Sequence, residues 1–276
     1  MRFERLTVEG RVVRYAAAGD VRAQQTLLLI HGFPLGVRMW EPQLARLAPL
    51  LDASGVSRWR LLAPSLPGYD GSDGMPQPSM HDYAAHVLGF LDQLDVSRAV
   101  VAGLSMGGYI AFALLRQAVQ RVTGVILADT RSGVDTEQVR AGRHRMIEIV
   151  TNGGSKAAAD DLIPKLFGPT TKAARPQVMA EVRQMIEAQS PVAIVDSTRA
   201  MLTREDAGPL LPTLNLPALV IVGEEDTMTP PEEAERMASA LPRATLVRLP
   251  RAGHMSNMEA PEAFNDAVRR FLPGTA

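Results

Sequence analysis

Residues 98–108 read Arg-Ala-Val-Val-Ala-Gly-Leu-Ser-Met-Gly-Gly, an apolar run that stops at Gly103-Leu104-Ser105-Met106-Gly107 and resumes as Tyr109-Ile110-Ala111-Phe112-Ala113-Leu114-Leu115. The pattern is a strand running into a helix through a five-residue turn with serine at its apex. Such a turn strains its central residue, so the positions two before and two after it must carry almost no side chain, and glycine meets that need. The Ser105 hydroxyl is then lifted clear at a strand end, beside a helix N-terminus. A chance Gly-x-Ser-x-Gly rarely falls on a strand–turn–helix junction, so Ser105 reads as a nucleophile.

A serine hydroxyl reacts only when a neighbouring base takes its proton, and imidazole suits that task near neutral pH. The chain has five histidines. His81 and His86 fall on an expected exposed helix face before the nucleophile strand. His144 lies among Arg140, Arg143 and Arg145 on what reads as a solvated face, and His31 precedes a tight turn after the third strand. His254 alone stands after the last strand and before the last helix, in a loop with Gly253, from which a side chain can reach Ser105. It is the expected general base.

A third group must hold the imidazole in the right tautomer and stabilise its cation. Asp226 follows the apolar run 218–222 through Gly223-Glu224-Glu225, at the edge where Ser105 and His254 converge. Glu224, Glu225 and Asp129, at the end of the sixth strand, are its rivals. Hydrolysis also needs donors aimed at the oxyanion. The Met106 amide, directly after the nucleophile, is one candidate. The second belongs to the turn His31-Gly32-Phe33-Pro34, where Pro34 has no N–H and Phe33 is left as donor. His31 then reads as a structural residue of that turn.

The elements that must position these residues follow from the hydropathy pattern. Phe3 to Val8 and Arg11 to Ala16 alternate in period two across Glu9-Gly10, an antiparallel hairpin. Short apolar runs at 26–30, 60–63, 99–102, 122–128, 218–222 and 245–249 fit strands of a mostly parallel sheet, most of them buried on both faces. Helical patterns cover Val37 to Leu51, Met80 to Leu94, Gly107 to Val119, Pro231 to Leu241 and Pro261 to Phe271. The alternation predicts an α/β fold, doubly wound, with a mostly parallel eight-stranded sheet and ligands at the carboxyl ends of its strands. One interval breaks the rhythm. Residues 131–213 show no strand but four helical patterns, separated at Asn152-Gly153-Gly154, Gly168-Pro169 and Ser190-Pro191. They are expected to form an all-helical cap, or lid, inserted after strand 6, with 1–130 and 214–276 forming the core domain. The alternative is a side-packed extension with no part in substrate binding.

Composition narrows the function classes. With 276 residues, 46% of them hydrophobic, the chain can bury a large core. The formal net charge is −1, with both signs mixed, so neither nucleic acid nor an anionic membrane is an expected partner. Absence of cysteine removes disulfides and thiolate catalysis and is compatible with a reducing cytoplasm, the expected location. Met1-Arg2-Phe3-Glu4-Arg5 contains no apolar stretch suited to a signal peptide, and no run approaches a membrane span. No cofactor and no metal site is expected, and the oligomeric state is left open.

The motifs His31-Gly32-Phe33-Pro34, Pro67-Gly68-Tyr69-Asp70-Gly71-Ser72, Gly103-Leu104-Ser105-Met106-Gly107-Gly108, Gly223-Glu224-Glu225-Asp226 and Gly253-His254 resemble the α/β-hydrolase fold family, in its capped carboxylesterase and lactonase branch. The stretches Asp129-Thr130-Arg131-Ser132-Gly133 and Asn257-Met258-Glu259-Ala260-Pro261-Glu262 are also similar to 3-oxoadipate enol-lactonase-like proteins. Asp70 departs from the pattern, since that loop usually carries a second glycine there. The order serine, aspartate, histidine matches the family. Some relatives place the acid where Asp129 stands; Asp226 is favoured, and Asp129 reads as a hinge or structural acceptor at the base of the lid.

The resemblance implies hydrolysis of a small-molecule carboxylic ester or lactone through an acyl-enzyme. The same three residues also serve carbon–carbon bond hydrolysis or perhydrolysis of the cofactor-free haloperoxidase kind, and a non-catalytic binding protein on this scaffold is a third class. Epoxide hydrolases and haloalkane dehalogenases are disfavoured, because those relatives use aspartate where this chain has Ser105. Met106, Met146, Met179, Met185, Met201, Met228 and Met255 suggest an adaptable apolar wall, although most suit ordinary helix packing. Arg131, Arg140 and Arg143 are candidates for a substrate carboxylate, against the default that arginine is exposed.

Overall fold

The structure, a computed structural model, describes residues 3–50 and 59–272; Leu51 of the first expected helix and the chain ends of the expected core domain lie outside the described residues. Eight strands, β1 (Phe3–Val8), β2 (Arg11–Gly19), β3 (Gln25–Ile30), β4 (Trp59–Pro64), β5 (Ala99–Leu104), β6 (Val122–Ala128), β7 (Ala218–Gly223) and β8 (Ala244–Leu249), form one sheet in the order β1-β2-β4-β3-β5-β6-β7-β8. β1 pairs antiparallel with β2 and β2 with β4; the remaining pairs are parallel. Glu9 and Gly10 both have positive φ, 48° and 80°, so a two-residue turn closes the first hairpin with Val8 opposite Arg11.

β5 and β7 are buried along their whole length, as their unbroken apolar runs require. Successive side chains on a strand point to opposite faces, and the core divides accordingly. Leu28 and Ile30 enter one apolar layer with Tyr83, Phe90, Ile110 and Leu114, whereas Leu27 and Leu29 enter the other with Trp40, Ile126 and Phe264.

The helices are α1 (Glu41–Leu50), α2 (Met80–Asp92), α3 (Met106–Ala118), α4 (Glu137–Leu166), α5 (Pro169–Ala174), α6 (Pro176–Glu187), α7 (Pro191–Leu202), α8 (Pro231–Ala240), α9 (Ser256–Glu259) and α10 (Pro261–Phe271). The first helical pattern begins as a 3₁₀ turn over Val37–Trp40 and becomes α-helical at Glu41. Pro42, which lacks an N–H, fits the first turn, where that donor has no partner in any case. α2 opens on a capping box: Ser79 accepts from the Asp82 amide, and Asp82 accepts from the Ser79 amide at 2.8 Å.

Between β6 and β7 the chain is helical, as expected. Gly154, at φ 65° and ψ −163°, breaks α4 into two arms, and Pro169 and Pro191 open α5 and α7. The stretch between Gly168 and Ser190, expected as one helix, is two. Pro176 excludes the helical region for Arg175, which sits at φ −138° and ψ 57°. This helical insertion touches the carboxyl edge of the sheet. A side chain at Gly253 would meet the Gly168 nitrogen at 2.2 Å, the Thr170 amide donates to Glu225 at 3.0 Å, and the Gln189 amide group donates to the Leu35 carbonyl at 3.0 Å. Its contacts therefore fall beside His254, Asp226 and Phe33.

A second sequence expectation is overturned on α2. His86 is buried, not exposed, and neither ring nitrogen has a partner. Burial first, and then the charge of Arg11, hold its pKa down at about 4. His81 and His144 are exposed.

Candidate active site

β5 ends at Leu104 and α3 begins at Met106, leaving Ser105 alone at the junction, with φ 53° and ψ −114°. A residue other than glycine in that region costs on the order of 1–3 kcal/mol, so surrounding contacts must impose it. A Cβ at Gly103 would lie 2.2 Å from the Gly107 oxygen, and one at Gly107 would lie 2.2 Å from the Ile30 oxygen. The two glycines thus permit the turn to close on itself and to seat against the end of β3. The Ser105 amide donates to the Ala128 carbonyl at 2.9 Å, and the Ser105 carbonyl accepts from the Gly108 amide and from Thr130 Oγ1 at 2.8 Å.

The structure brings Ser105, His254 and Asp226 together in one hydrogen-bonded line. Ser105 Oγ lies 2.9 Å from His254 Nε2, and His254 Nδ1 lies 2.8 Å from Asp226 Oδ2. An ionised carboxylate only accepts, so Nδ1 carries the hydrogen and Nε2 presents its lone pair to the hydroxyl. Asp226 also accepts from the Met228 amide at 2.8 Å, the Thr229 amide at 3.0 Å and Thr229 Oγ1 at 2.6 Å. His254 and Asp226 are buried, while Ser105 keeps part of its surface accessible.

The electrostatics are those of a buried, mutually stabilising pair. Burial disfavours the imidazolium, but the charge and hydrogen bond of Asp226, with a smaller contribution from Asp129, outweigh it, and the His254 pKa is raised. Burial likewise opposes ionisation of Asp226. His254 and the Thr229 donors prevail, and its pKa is lowered.

The rivals for the acid are placed elsewhere. Glu224 is exposed, and Glu225 is engaged by Thr170 of the insertion. Asp129 accepts from the Gly223 amide at 2.9 Å and is bonded to Ser256 Oγ, with no bond to a histidine.

The turn after β3 lies against the turn around Ser105: a Cβ at Gly32 would be 3.2 Å from the Leu104 oxygen and 3.7 Å from Ser105 Cβ. His31 is fully buried and fixes this turn. Its Nε2 accepts from the Leu66 amide at 3.1 Å, its Nδ1 lies 3.0 Å from the Gly32 carbonyl, and its ring packs edge-on to Tyr69. Burial lowers its pKa, so it stays neutral. Phe33 is partly exposed, and Met106 occupies the first position of α3, where the amide has no acceptor within the helix. Among the described hydrogen bonds, neither the Phe33 nor the Met106 amide is engaged.

The departure at Asp70 has a structural reason. Its carboxylate accepts from the Val37 amide and Ser65 Oγ, both at 2.8 Å, and its amide donates to Gln189 at 2.9 Å. It ties its own loop to the turn after β3 and to the insertion. Of the arginines, Arg143 is paired with the buried Asp135, Arg140 donates to the Leu202 carbonyl, and Arg131 donates to the Met228 carbonyl beside the site. Met106, Met146, Met185, Met201 and Met255 are core residues.

Thr229, Thr130 and Ser256 escaped the sequence reading. Thr229 had a signal, because a hydroxyl three residues after an aspartate commonly closes a local side-chain turn. Thr130 and Ser256 had none, since their partners are brought near only by the sheet. Among the described residues, no group of three or more His, Cys, Asp or Glu is arranged to hold a metal ion, and no helix is long and apolar enough to cross a membrane.

Comparison with known proteins places the fold in a family. The profile of the alpha/beta hydrolase fold matches residues 25–261. The malate-bound structure of a thermophilic esterase from Thermogutta terrifontis superposes with a TM-score of 0.91 at 33% identity, covering 100% of this chain and 99% of that one. The enol-lactonase from Burkholderia xenovorans LB400 gives 0.87 at 27% identity, over 98% of this chain and 100% of its own. In sequence, 3-oxoadipate enol-lactonase 2 of Acinetobacter baylyi is 24% identical over 268 residues, 97% of this chain and 95% of that protein. The chain belongs to the alpha/beta hydrolase fold family.

Proposed function

We propose that the protein hydrolyses small carboxylic esters or lactones through an acyl-enzyme, with Ser105 as nucleophile, His254 as general base and acid, and Asp226 as the carboxylate that orients and stabilises the imidazole. The observation that carries this reading is the unbroken line Ser105 Oγ, His254 Nε2, His254 Nδ1, Asp226 Oδ2 at 2.9 and 2.8 Å. Ser105 Oγ bonds to the substrate carbonyl carbon as its proton passes to Nε2. The C–O bond to the leaving alcohol then breaks, and that alcohol takes the proton from His254. Water, deprotonated by the same nitrogen, bonds to the acyl carbon; the bond to Ser105 Oγ breaks, Oγ takes the proton back from Nε2, and the acid departs. The Phe33 and Met106 amides receive the negative charge on the former carbonyl oxygen. The helical insertion, 131–213, is the cap that roofs this chemistry, and its contacts beside His254, Asp226 and Phe33 support that role. The cysteine-free chain suits a reducing cytoplasm. Esterase and enol-lactonase relatives support the substrate class.

The test is turnover of p-nitrophenyl esters, from acetate to decanoate, beside a set of lactones, with Ser105→Ala as control. Ser105→Ala is expected to remain folded and to lose turnover by about 10⁶-fold, and a phosphonate is expected to label Ser105 alone in the parent. Labelling of another serine, or full activity in Ser105→Ala, overturns the assignment.

A further inference from the structure

Asp129 stands directly after β6, is 1% exposed, and takes no part in the Ser105–His254–Asp226 line. Its backbone is in the left-handed region, φ 43°, a conformation costly for an aspartate and held here by its amide, which donates to the Ile221 carbonyl at 2.9 Å. The two carboxyl oxygens serve different partners. Oδ1 accepts from the amide of Gly223, the last residue of β7 and three before Asp226. Oδ2 is bonded to Ser256 Oγ, two residues after His254. One side chain thus bridges the turn that carries the acid and the loop that carries the base.

We infer that Asp129 is a positioning residue which fixes the distance between Asp226 and His254 by tying the end of β7 to the start of α9. This rests on the proposed roles of Asp226 and His254. Thr229 Oγ1, 3.2 Å from His254 Nδ1, and the Glu225 amide, which donates to the Ala252 carbonyl at 2.8 Å, also join these loops; Asp129 adds a tie from a third element, the end of β6, and the Nδ1–Oδ2 contact depends on both loops holding still.

Burial, and then the charge of Asp226, hold the Asp129 pKa well above the usual carboxylate range. The ionisable groups acting on it are Asp226, from the loop after β7, and His254, from the loop after β8; Arg131, two residues on, acts on the same imidazole. Asp226, with four donors, keeps the negative charge. Both Asp129 oxygens accept, Oδ1 from the Gly223 amide and Oδ2 from Ser256 Oγ. An asparagine keeps the Gly223 bond through its oxygen and spans to Ser256 Oγ by donating from Nδ2 to the turned hydroxyl, whereas an alanine makes neither bond.

The experiment measures kcat and KM for p-nitrophenyl acetate from about pH 5 to about pH 9 in Asp129→Asn, Asp129→Ala, Ser256→Ala and Asp226→Asn. Asp129→Ala is expected to lose roughly 10- to 100-fold in kcat with KM little changed, the scale of a small misplacement in a catalytic array. Its acid limb moves to lower pH, because the loosened Asp226 contact no longer favours the imidazolium. Asp129→Asn restores most of the rate, with its limb between those of the parent and Asp129→Ala, because the Asp226 contact is kept while the Asp129 charge is lost. A purely structural residue would lower the melting temperature and leave the limb in place. If Asp129→Ala does not fold, Ser256→Ala, which removes one anchor, is expected to shift kcat and the limb in the same direction by a smaller amount. The inference is overturned if Asp129→Ala or Ser256→Ala leaves rate and limb unchanged, or if Asp129→Asn behaves like Asp129→Ala while Asp226→Asn is inactive. Loss in Asp129→Asn with activity kept in Asp226→Asn overturns instead the assignment of Asp226 as the acid.

Discussion

Asp226 accepts four hydrogen bonds in a site from which water is largely excluded, and that density of donors holds the imidazole and keeps the carboxylate ionised. Asp226→Asn is expected to fold and to lower kcat by roughly 10⁴, the scale seen when an imidazole loses its orienting carboxylate. In the parent, the raised His254 pKa puts the acid limb of kcat/KM above the ordinary imidazole value, and the rate falls as pH drops through it. Without the Asp226 charge, burial prevails and the limb moves to lower pH. A pH–rate profile of parent and variant checks both statements, and an unmoved limb contradicts them. Ser105, His254 and Asp226 were legible as candidates because each follows a strand at one edge of the sheet, a place that periodicity and glycine spacing reveal. The hydroxyls that steady them were not. Thr130 bonds the carbonyl of a residue 25 positions earlier, through a pairing of β5 and β6 that no local pattern encodes.

The elements were legible where chain geometry is dictated locally. Period-two alternation and the Glu9-Gly10 turn disclose the hairpin, and unbroken apolar runs disclose β5 and β7. His86 was misread because one buried polar residue on a helix face looks, in sequence, like the polar face itself. The stretch after Gly168 was misread because Pro176 ends one helix and starts the next within a single residue. The turn around Ser105 is the element on which the proposed activity depends most closely. Adding one methyl at Gly103 sets a carbon 2.2 Å from the Gly107 oxygen, a backbone atom that cannot swing away. Gly103→Ala is therefore expected to destabilise the fold by about 3 kcal/mol, at the upper end for overpacking, and to abolish phosphonate labelling of Ser105 in the fraction that remains folded. Urea denaturation and labelling stoichiometry test the two effects separately. A stable, fully labelled variant would show that the turn tolerates the methyl.

At the scale of the whole molecule, the insertion must be held on the sheet edge while leaving the site accessible, and a buried ion cluster at its base does this. Asp135, at the entry to the insertion, accepts from Arg143 in α4 and lies 2.7 Å from Arg204, just beyond α7. Arg204 also donates to the Gly133 carbonyl at 2.7 Å and lies 4.3 Å over the Tyr109 ring of α3. One carboxylate therefore binds both ends of the insertion to each other and to the helix behind the nucleophile. Removing it leaves two guanidiniums, largely or fully buried, without a counter-charge, so Asp135→Asn is expected to lose about 3 kcal/mol. Burial opposes ionisation of Asp135, but Arg143 and Arg204 outweigh it and lower its pKa. Its contribution is thus present above the ordinary carboxylate pKa of the unfolded chain and fades as pH falls through the lower, folded value. Urea denaturation of parent and Asp135→Asn at about pH 7 and again at about pH 3 checks the sign, since the gap is expected to narrow at the lower value. Limited proteolysis separates loosening of the insertion from global unfolding. Faster cleavage confined to residues 131–213 is the expected result, and uniform cleavage along the chain would show that the cluster holds the whole fold and not the insertion.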